Sequence, residues 1–493
     1  MKISIDKSSK VPVYLQIADQ IKAQIISGAL PRSSALPSER ALAQILDVHR
    51  NTVVKAYGEL KSDAWIESRQ GVGYLVASAS TGKEPVGESG EGVQMGRVNW
   101  VNEVADKYLD MEKTFDDLFQ RFTDESHFSL GSGVASREVY SSERVAHDIA
   151  GLLTGSGPSQ YFFSPYKGDR FLRQKLASFL GTKGVRASSG EIQILSETNQ
   201  ALDFIVTLLV KPGDSVVMEE PVHPDMYRVM ELAGARILTV PVDEDGMNCD
   251  VLESLLTQTR PRLIFVNSSF HDPTGCILSL ERRKKLVELS SRYRIPIVEE
   301  DAASELVYDG DKLPPIKAFD TTGNVIYIYS FSLTFIPGLS LAFVTGNRDF
   351  VRALSYLVSV RLMASDWMTQ KLLGMYLDDG SYYSSLATFR EIYSGNRDLV
   401  CQKLDALAHL GVRYERPRGG VYVWCRLPDG VDSKHFINRA YNMGVTLIPG
   451  HVFYPYKNGG RDYIRINYSY ESRERLACGM DVLHKALEEE LEE

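Results

Sequence analysis

The stretch LPSERALAQILDVHRNTVVKAYGELKSDAWIESRQGVGYLV, Leu36–Val76, decides the fold of the N-terminal part of the chain. It predicts a helix that begins after Ser38, a good N-cap residue, with Leu42, Ile45 and Leu46 facing inward. A second helical pattern follows after a two-residue turn, and the stretch ends in the alternating, glycine-punctuated pattern of a β-hairpin. With an earlier amphipathic helix, the three helices and the hairpin predict a winged helix-turn-helix.

This predicted module carries polar side chains where DNA would be contacted. The candidate DNA-binding residues are Arg40, Arg50, Asn51, Thr52, Arg69 and Gly71. Arg50 starts the third helix, from which side chains reach base edges in the major groove. Arg40 on the second helix and Arg69 on the hairpin would hold phosphates on either side. A single arginine often does no more than solvate a helix surface, but this clustering favours double-stranded DNA as the partner.

Charge is unevenly distributed along the 493 residues. The net charge is −9, yet residues 1–78 hold ten Lys and Arg against seven Asp and Glu, which suggests that only this head meets a polyanion. No apolar run is long enough to span a membrane, and the N-terminus lacks the apolar core of a signal peptide. We therefore expect a cytoplasmic protein.

The stretch ASASTGKEPVGESGEGVQMG, residues 77–96, has the composition of a flexible linker. We therefore predict a DNA-binding domain at 1–78, a linker at 79–114 and a second domain at 115–493. The five cysteines form no CxxC pair, so we expect buried free thiols, without a metal site or a disulfide framework.

The second domain alternates short apolar runs with amphipathic helical patterns. This alternation predicts an α/β fold with a mostly parallel sheet and helices on both faces, followed by a smaller terminal lobe. In such folds ligands bind at the carboxyl ends of the strands.

Both parts resemble known families. The head resembles the GntR family of bacterial repressors over residues 10–77, with His49 in place of a more common Ser. Residues 115–490 resemble fold-type I aminotransferases in the segments RGGVYVWCRLP, DPTG, PGLSL and YIRINYSY. This order of domains resembles the MocR subfamily of regulators. The resemblance implies a DNA operator, a homodimer, a possible small-molecule effector, and pyridoxal phosphate as the family cofactor.

The positions that hold this cofactor in the family are altered here. They are Glu197, His223, Asp272, Glu300, Ala302, Leu333 and Ser340. Leu333, in the stretch SFSLTFIPGLSLAF, replaces the lysine that forms the imine. Glu197 replaces a glycine at the phosphate, and Ser340 replaces the arginine that clamps it. Together these changes predict that the cofactor is not bound.

The remaining cofactor positions also differ from the residues that the family has there. The resemblance places Glu300 where an aspartate pairs with the pyridine nitrogen, Ala302 in place of a tyrosine, and Asp272 in place of an asparagine. His223 takes the place of an aromatic ring that stacks on the cofactor. Arg465 matches the arginine that holds a substrate carboxylate.

The role of Arg465 has an equally weighted alternative, an internal salt bridge to Glu300 or Asp301. The crowded acids predict a pocket that either closes on its own salt bridges or accepts a cationic or zwitterionic small molecule, and that rejects phosphorylated compounds.

These observations favour a transcription regulator with a catalytically inactive aminotransferase-like domain, without covalent pyridoxal phosphate and without a metal. Two alternatives remain: a MocR regulator that binds pyridoxal phosphate noncovalently as an effector, and a residual aminotransferase.

Overall fold

The protein, as a computed structural model, divides into two compact units, Met1–Val98 and Asn99–Glu493. The described residues are 3, 5, 12–26, 30, 31, 34–62, 65–69, 73–77, 121, 125–136, 138–155, 165–362, 366–456 and 459–492. The predicted linker at 79–114, Gly71 and the side chain of Arg69 lie outside this part of the chain. The predicted domain limits therefore stay predictions.

The first unit contains three helices and a hairpin. They are α1 (Val13–Ile26), α2 (Glu39–Leu46), α3 (Arg50–Ser62), β1 (Ile66–Arg69) and β2 (Gly73–Val76). The Ser38 side chain accepts a hydrogen bond from the Ala41 amide and so caps α2 as predicted. Asp47 has a left-handed backbone, with a φ of 51°, that makes the tight turn toward α3. The predicted winged helix-turn-helix is confirmed.

Apolar residues of the three helices form the core of this unit, and one residue of α2 departs from the prediction. Ile17, Ile21, Val53, Ala56, Tyr57 and Leu60 are all fully buried. Ile45, which we predicted to face inward, is 68% exposed. The buried side of α2 is formed by Leu42, Ala43 and the partly buried Leu46. At roughly 100° per residue, Ile45 lies more than a quarter-turn away from the centre of that side.

The second unit contains the following elements. Its helices are α4 (Ser142–Gly155), α5 (Arg170–Thr182), α6 (Thr198–Leu209), α7 (Pro224–Leu232), α8 (Cys249–Gln258), α9 (Leu280–Tyr293), α10 (Arg348–Arg361), α11 (Trp367–Asp379), α12 (Ser381–Ala406), α13 (Ser433–Asn442) and α14 (Arg473–Glu492). Its strands are β3 (Phe128–Ser129), β4 (Ile192–Leu195), β5 (Ser215–Glu220), β6 (Arg236–Asp243), β7 (Gly246–Met247), β8 (Ile264–Asn267), β9 (Ile297–Asp301), β10 (Val325–Ser330), β11 (Ala342–Thr345), β12 (Arg413–Tyr414), β13 (Tyr422–Arg426), β14 (Val445–Thr446), β15 (Ile448–Pro449) and β16 (Tyr463–Asn467).

An eight-stranded sheet in the order β4-β11-β10-β9-β8-β5-β6-β7 forms the centre of this unit. The strands β10, β9, β8, β5 and β6 are neighbours in this spatial order and run parallel. At the two ends of the sheet, β7 pairs antiparallel with β6, and β11 pairs antiparallel with β10 and β4. Within β5, Val216 and Met218 join one apolar cluster, and Val217 joins another. Both faces are therefore buried, which confirms the predicted α/β layers.

A smaller antiparallel sheet, in the order β12-β13-β16-β15, forms the terminal lobe. The five cysteines are free, and Cys249, Cys401 and Cys425 are buried as predicted. Cys478 is exposed instead, because α14 buries Leu476, Gly479 and Met480 on its other side. Among the described helices, none combines the length and the apolar character needed to cross a membrane.

Candidate functional site

The N-terminal end of α3 presents polar side chains at the surface of the first unit. Arg50 and Asn51 are exposed, and Thr52 is partly exposed. Nη2 of Arg50 donates to Oε2 of Glu39 at 2.8 Å. The hydroxyl of Tyr74 in β2 donates to the other oxygen of the same carboxylate at 3.0 Å. Glu39 thus links the start of α3 to the hairpin and orients Arg50.

Of the other residues predicted to contact DNA, the structure describes Arg40 and the backbone of Arg69. Arg40 is exposed on α2, and Arg69 is the last residue of β1. Nδ1 of His49 accepts a hydrogen bond from the Asn51 amide at 3.2 Å. His49 therefore takes over the capping of α3 that the more common Ser would perform.

A cavity of about 410 Å³ lies in the second unit, at the carboxyl ends of the parallel strands. Open parallel sheets bind ligands at this edge. The cavity brings together all seven altered positions named above, Glu197, His223, Asp272, Glu300, Ala302, Leu333 and Ser340. The structure therefore places these seven residues around one cavity.

The ionisable groups of this lining are mostly acidic. Its carboxylates belong to Glu197, Asp225, Asp272 and Glu300, and His223 contributes an imidazole. No lysine or arginine lines the cavity in the part of the chain that the structure describes. Such a surface repels anions and attracts cations.

Arg465 in β16 is buried beside this cavity, and its charge is already paired. Its Nη1 donates to both oxygens of Asp272, at 2.7 Å each, and its Nη2 donates to a backbone carbonyl at 2.9 Å. The ring centroid of Tyr422 lies 4.2 Å from its Cζ. Burial opposes the charge, but Asp272 raises the pKa of Arg465 above its usual value.

The internal salt bridge that the sequence left open is thus present, but with a different partner. Glu300 and Asp301, which we had named, are consecutive in β9 and point to opposite faces of the sheet. Glu300 accepts a hydrogen bond from Asn267, and Asp301 accepts hydrogen bonds from Ser304 and Tyr327. Asp272 lies on the loop after β8 and reaches the guanidinium of Arg465.

Glu300 faces the cavity and is 8% exposed. One of its carboxylate oxygens accepts a hydrogen bond from the side-chain amide of Asn267. Burial raises the pKa of Glu300 to about 8, and the nearby carboxylates of Asp301 and Asp272 also raise it. Within the described ranges no cationic side chain pairs with Glu300.

The end of the cavity that would hold a phosphate is formed by the N-terminus of α6. Helix N-termini attract anions through their unpaired amides. Glu197 is the N-cap residue there, and its φ of −148° is an extended conformation that any residue adopts. By the resemblance, Glu197 replaces a glycine of the family, and it adds a negative charge without adding backbone strain. Oγ of Ser340 is buried and has no hydrogen-bond partner among the described residues.

Leu333, which by the resemblance takes the position of the family's imine-forming lysine, lines the cavity. It is 6% exposed and belongs to the same apolar cluster as Phe331, Phe335 and Ile336. Because its side chain is a hydrocarbon, it contributes packing and no nucleophile.

A buried lysine that sequence reasoning missed lies outside the cavity lining. Nζ of Lys183 donates to Ser304 at 2.5 Å, and lies 2.7 Å from Glu305 and 3.6 Å from Asp301. It also lies 4.6 Å from the ring centroid of Tyr329. The acidic run EEDAASE directly after an apolar strand was the available signal, since buried carboxylates require a nearby cation.

Two family models match the chain. Residues 127–481 match the aminotransferase class I and II family, and residues 13–76 match the gntR family of bacterial regulatory proteins. The chain belongs to the aminotransferase class I and II family. Its head is a GntR domain, and the order of the two domains is that of the MocR subfamily of GntR regulators.

Full-length relatives share both domains. The chain is 27% identical over 477 residues to YisV, an uncharacterized HTH-type transcriptional regulator of Bacillus subtilis, covering 96% of each chain. It is 28% identical over 458 residues to the probable rhizopine catabolism regulatory protein MocR of Rhizobium meliloti, covering 90% of this chain and 88% of that one.

Solved aminotransferases share the fold of the second unit. LysN, the α-aminoadipate aminotransferase of Thermus thermophilus, matches with a TM-score of 0.73 and 28% identity. The match covers 80% of this chain and 100% of that chain.

The cavity residues do not suit the cofactor of this aminotransferase family. Pyridoxal phosphate needs an amine for its imine and positive charge for its phosphate. Leu333 offers no amine, Glu197 adds a negative charge, and Ser340 offers no guanidinium. Two like charges about 4 Å apart repel by roughly 4 kcal/mol at an effective dielectric near 20. The aminotransferase fold here surrounds a cavity of altered charge.

Proposed function

We propose that the protein is a DNA-binding transcription regulator whose aminotransferase domain is catalytically inactive and serves dimerisation and small-molecule sensing. One observation carries the proposal: a GntR head shares the chain with an aminotransferase domain whose cavity is lined by Leu333 and four carboxylates and by no described lysine. As a cytoplasmic homodimer, the protein would present two heads to two half-sites of an operator.

The inactivity follows from the chemistry of the site. Transamination requires a lysine that forms an imine, and the electron-sink chemistry belongs to the cofactor. The cavity lining offers neither an amine nor a cationic phosphate site among its described residues. We therefore propose that the protein works without pyridoxal phosphate and without a metal.

The DNA-binding part of the proposal is tested by selecting bound fragments from a random-sequence duplex library with the full-length protein. We expect enrichment of a two-fold symmetric sequence. The double variant Arg50→Ala, Asn51→Ala should lose this enrichment, and the matched control Lys61→Ala, at the other end of α3, should keep it. No enrichment with the unmodified protein would refute the regulator function.

The inactivity is tested by an amino-transfer assay with added pyridoxal phosphate, a panel of amino acids and 2-oxoglutarate. We expect no turnover above the protein-free rate. Turnover that saturates with substrate would support a residual aminotransferase instead. A change in operator affinity on adding pyridoxal phosphate, without turnover, would support the cofactor as a noncovalent effector.

A further inference from the structure

Residues that line the cavity carry buried polar atoms without hydrogen-bond partners among the described residues. Oδ1 of Asn267 is buried and has no hydrogen-bond partner in the described structure. The Nδ2 atom of the same side chain donates to Oε2 of Glu300, which leaves Oε1 of this nine-tenths buried carboxyl facing the cavity. Oγ of Ser340 is likewise buried and unpaired. An ammonium group, with three donors and no acceptor, complements such a set.

No described side chain supplies the missing positive charge. Neither Glu197 nor Glu300 forms an ion pair with any described residue, and the nearby guanidinium of Arg465 is held by Asp272. A buried carboxylate is stable when a cation reaches it and otherwise takes up a proton. Any cation that pairs with Glu300 therefore comes from a ligand, and without one the carboxyl takes up a proton.

The Arg465–Asp272 pair also limits which cation fits. By resemblance to aminotransferases, the arginine at this position would bind the carboxylate of an amino acid. Here Nη1 of Arg465 already donates hydrogen bonds to both carboxylate oxygens of Asp272. The carboxylate of a zwitterion would meet Asp272 and no unpaired cation. A ligand without a carboxylate avoids this repulsion.

The walls of the cavity favour a ligand whose body is apolar. Val222, Met226, Phe265, Phe270, Leu333 and Ile336 contribute apolar surface to the lining. A volume of about 410 Å³ lies within the range of small-ligand pockets.

We propose that this cavity binds an apolar primary amine as a cation, without pyridoxal phosphate, and that its ammonium group lies between Glu300 and Asn267. The inference deepens the proposed sensing function and rests on it only for the biological use of the binding.

The surroundings of Glu300 make the binding depend on pH. Several titratable and charged groups surround it. Those on β5, on β8 and its loop, on the terminal lobe and across the cavity are Glu197, Glu219, His223, Asp225, Asp272, Tyr422 and Arg465, and its neighbours in β9, Glu299 and Asp301, lie on the other face of the sheet. Burial raises the pKa of Glu300 to about 8, so its carboxyl is protonated at neutral pH until a cation arrives. Amine binding therefore releases a proton and strengthens as the pH rises.

Titration calorimetry of the full-length protein tests the proposal with three matched probes: phenethylamine, 2-phenylethanol and phenylalanine. We expect phenethylamine to bind, and its Kd to fall at least about tenfold from about pH 6.5 to about pH 8.5. Buffers with different ionisation heats should reveal the released proton. Binding of 2-phenylethanol or phenylalanine as tight as that of phenethylamine would overturn the proposal, as would a failure of phenethylamine to bind.

Two variants complete the test. Glu300→Gln should weaken phenethylamine at least about tenfold and abolish the proton release, whereas the exposed control Glu474→Gln should change neither. If Glu300→Gln does not fold, Glu197→Gln at the exposed rim should weaken binding in the same direction. Unchanged binding in the folded variant would overturn the proposal. Operator affinity is measured separately, so normal DNA binding without amine binding would refute this inference alone.

Discussion

Nη1 of Arg465 lies 2.7 Å from each carboxylate oxygen of Asp272, across 193 positions of the sequence. By resemblance to aminotransferases, these two positions would face a substrate carboxylate and the cofactor ring. In this protein the two side chains bind each other, so the carboxylate of Asp272 takes the place of a ligand carboxylate at Arg465. The cavity beside this pair is lined by four carboxyl groups and by no described lysine or arginine.

Asp272→Asn should reopen the carboxylate site. The amide keeps a hydrogen bond to Arg465 but removes the competing charge, so phenylalanine should bind at least about tenfold more tightly by calorimetry. The free energy of unfolding should fall by about 1–3 kcal/mol, because the buried guanidinium loses its charged partner. Asp225→Asn is the control, since it removes a lining carboxylate that does not hold Arg465. An equal gain in both variants would contradict the prediction.

Glu300→Gln should change how stability depends on pH. The folded carboxyl, with its pKa raised to about 8 by burial, binds more protons than the unfolded one between about pH 4.5 and about 8. Stability therefore falls as the pH rises through this window. Glutamine removes the effect, so the urea midpoint should rise at about pH 8 and stay nearly unchanged at about pH 5. The same shift at both pH values would contradict this account.

Lys183→Met should destabilise the second unit strongly. The substitution leaves the buried carboxylates of Asp301 and Glu305 without the ammonium group between them. Loss of one partner of a buried ion pair costs about 3–5 kcal/mol. Lys175→Met is the matched control, since it breaks an exposed pair with Asp378 that should contribute less than about 1 kcal/mol. Similar urea midpoints for the two variants would show that Lys183 is not essential to the buried network.

Arg50→Ala should weaken specific operator binding by about 1–3 kcal/mol while leaving the fold intact. Arg50 is exposed at the start of α3 and is oriented by Glu39, so the side chain is placed to contact a base or phosphate. Fluorescence anisotropy with the selected operator measures the change, with Lys61→Ala as the control. Equal affinities of Arg50→Ala and the unmodified protein would remove Arg50 from the recognition set.

Much of the head could be predicted because its signals are local. Ser38 caps α2, Asp47 turns the chain, and the fully buried stripe of α3 follows a helical period. The prediction for Ile45 was wrong because five of the eight residues of α2 are apolar, so the sequence does not distinguish the buried side of this short helix from its exposed side.

The seven positions that the resemblance assigned to the cofactor line one cavity, as the meeting of the carboxyl ends of parallel strands at one edge of a sheet leads one to expect. The salt-bridge partner of Arg465 inside the cavity could not be predicted from the sequence. Whether Arg465 reaches Asp272, Glu300 or Asp301 depends on which face of β9 each acid takes and on where a distant loop lies. Lys183 was missed for the same reason, since it meets Asp301 only after folding.

Leu333→Lys alone should not restore stable binding of pyridoxal phosphate. The new amine would still face Glu197, Ala302 and Ser340, which oppose or fail to hold the cofactor. The triple variant Leu333→Lys, Glu197→Gly, Ser340→Arg should bind it more tightly than the single variant in an absorbance titration. Equal occupancy in the two variants would show that the phosphate end of the cavity matters less than its charge indicates.

The central claim, that this aminotransferase domain works without its family cofactor, is tested most directly by titrating the unmodified full-length protein with pyridoxal phosphate. Absorbance and calorimetry are recorded together. We predict no imine band and no binding at micromolar concentrations. A visible imine band that hydroxylamine bleaches, or micromolar binding in the calorimeter, would contradict the claim.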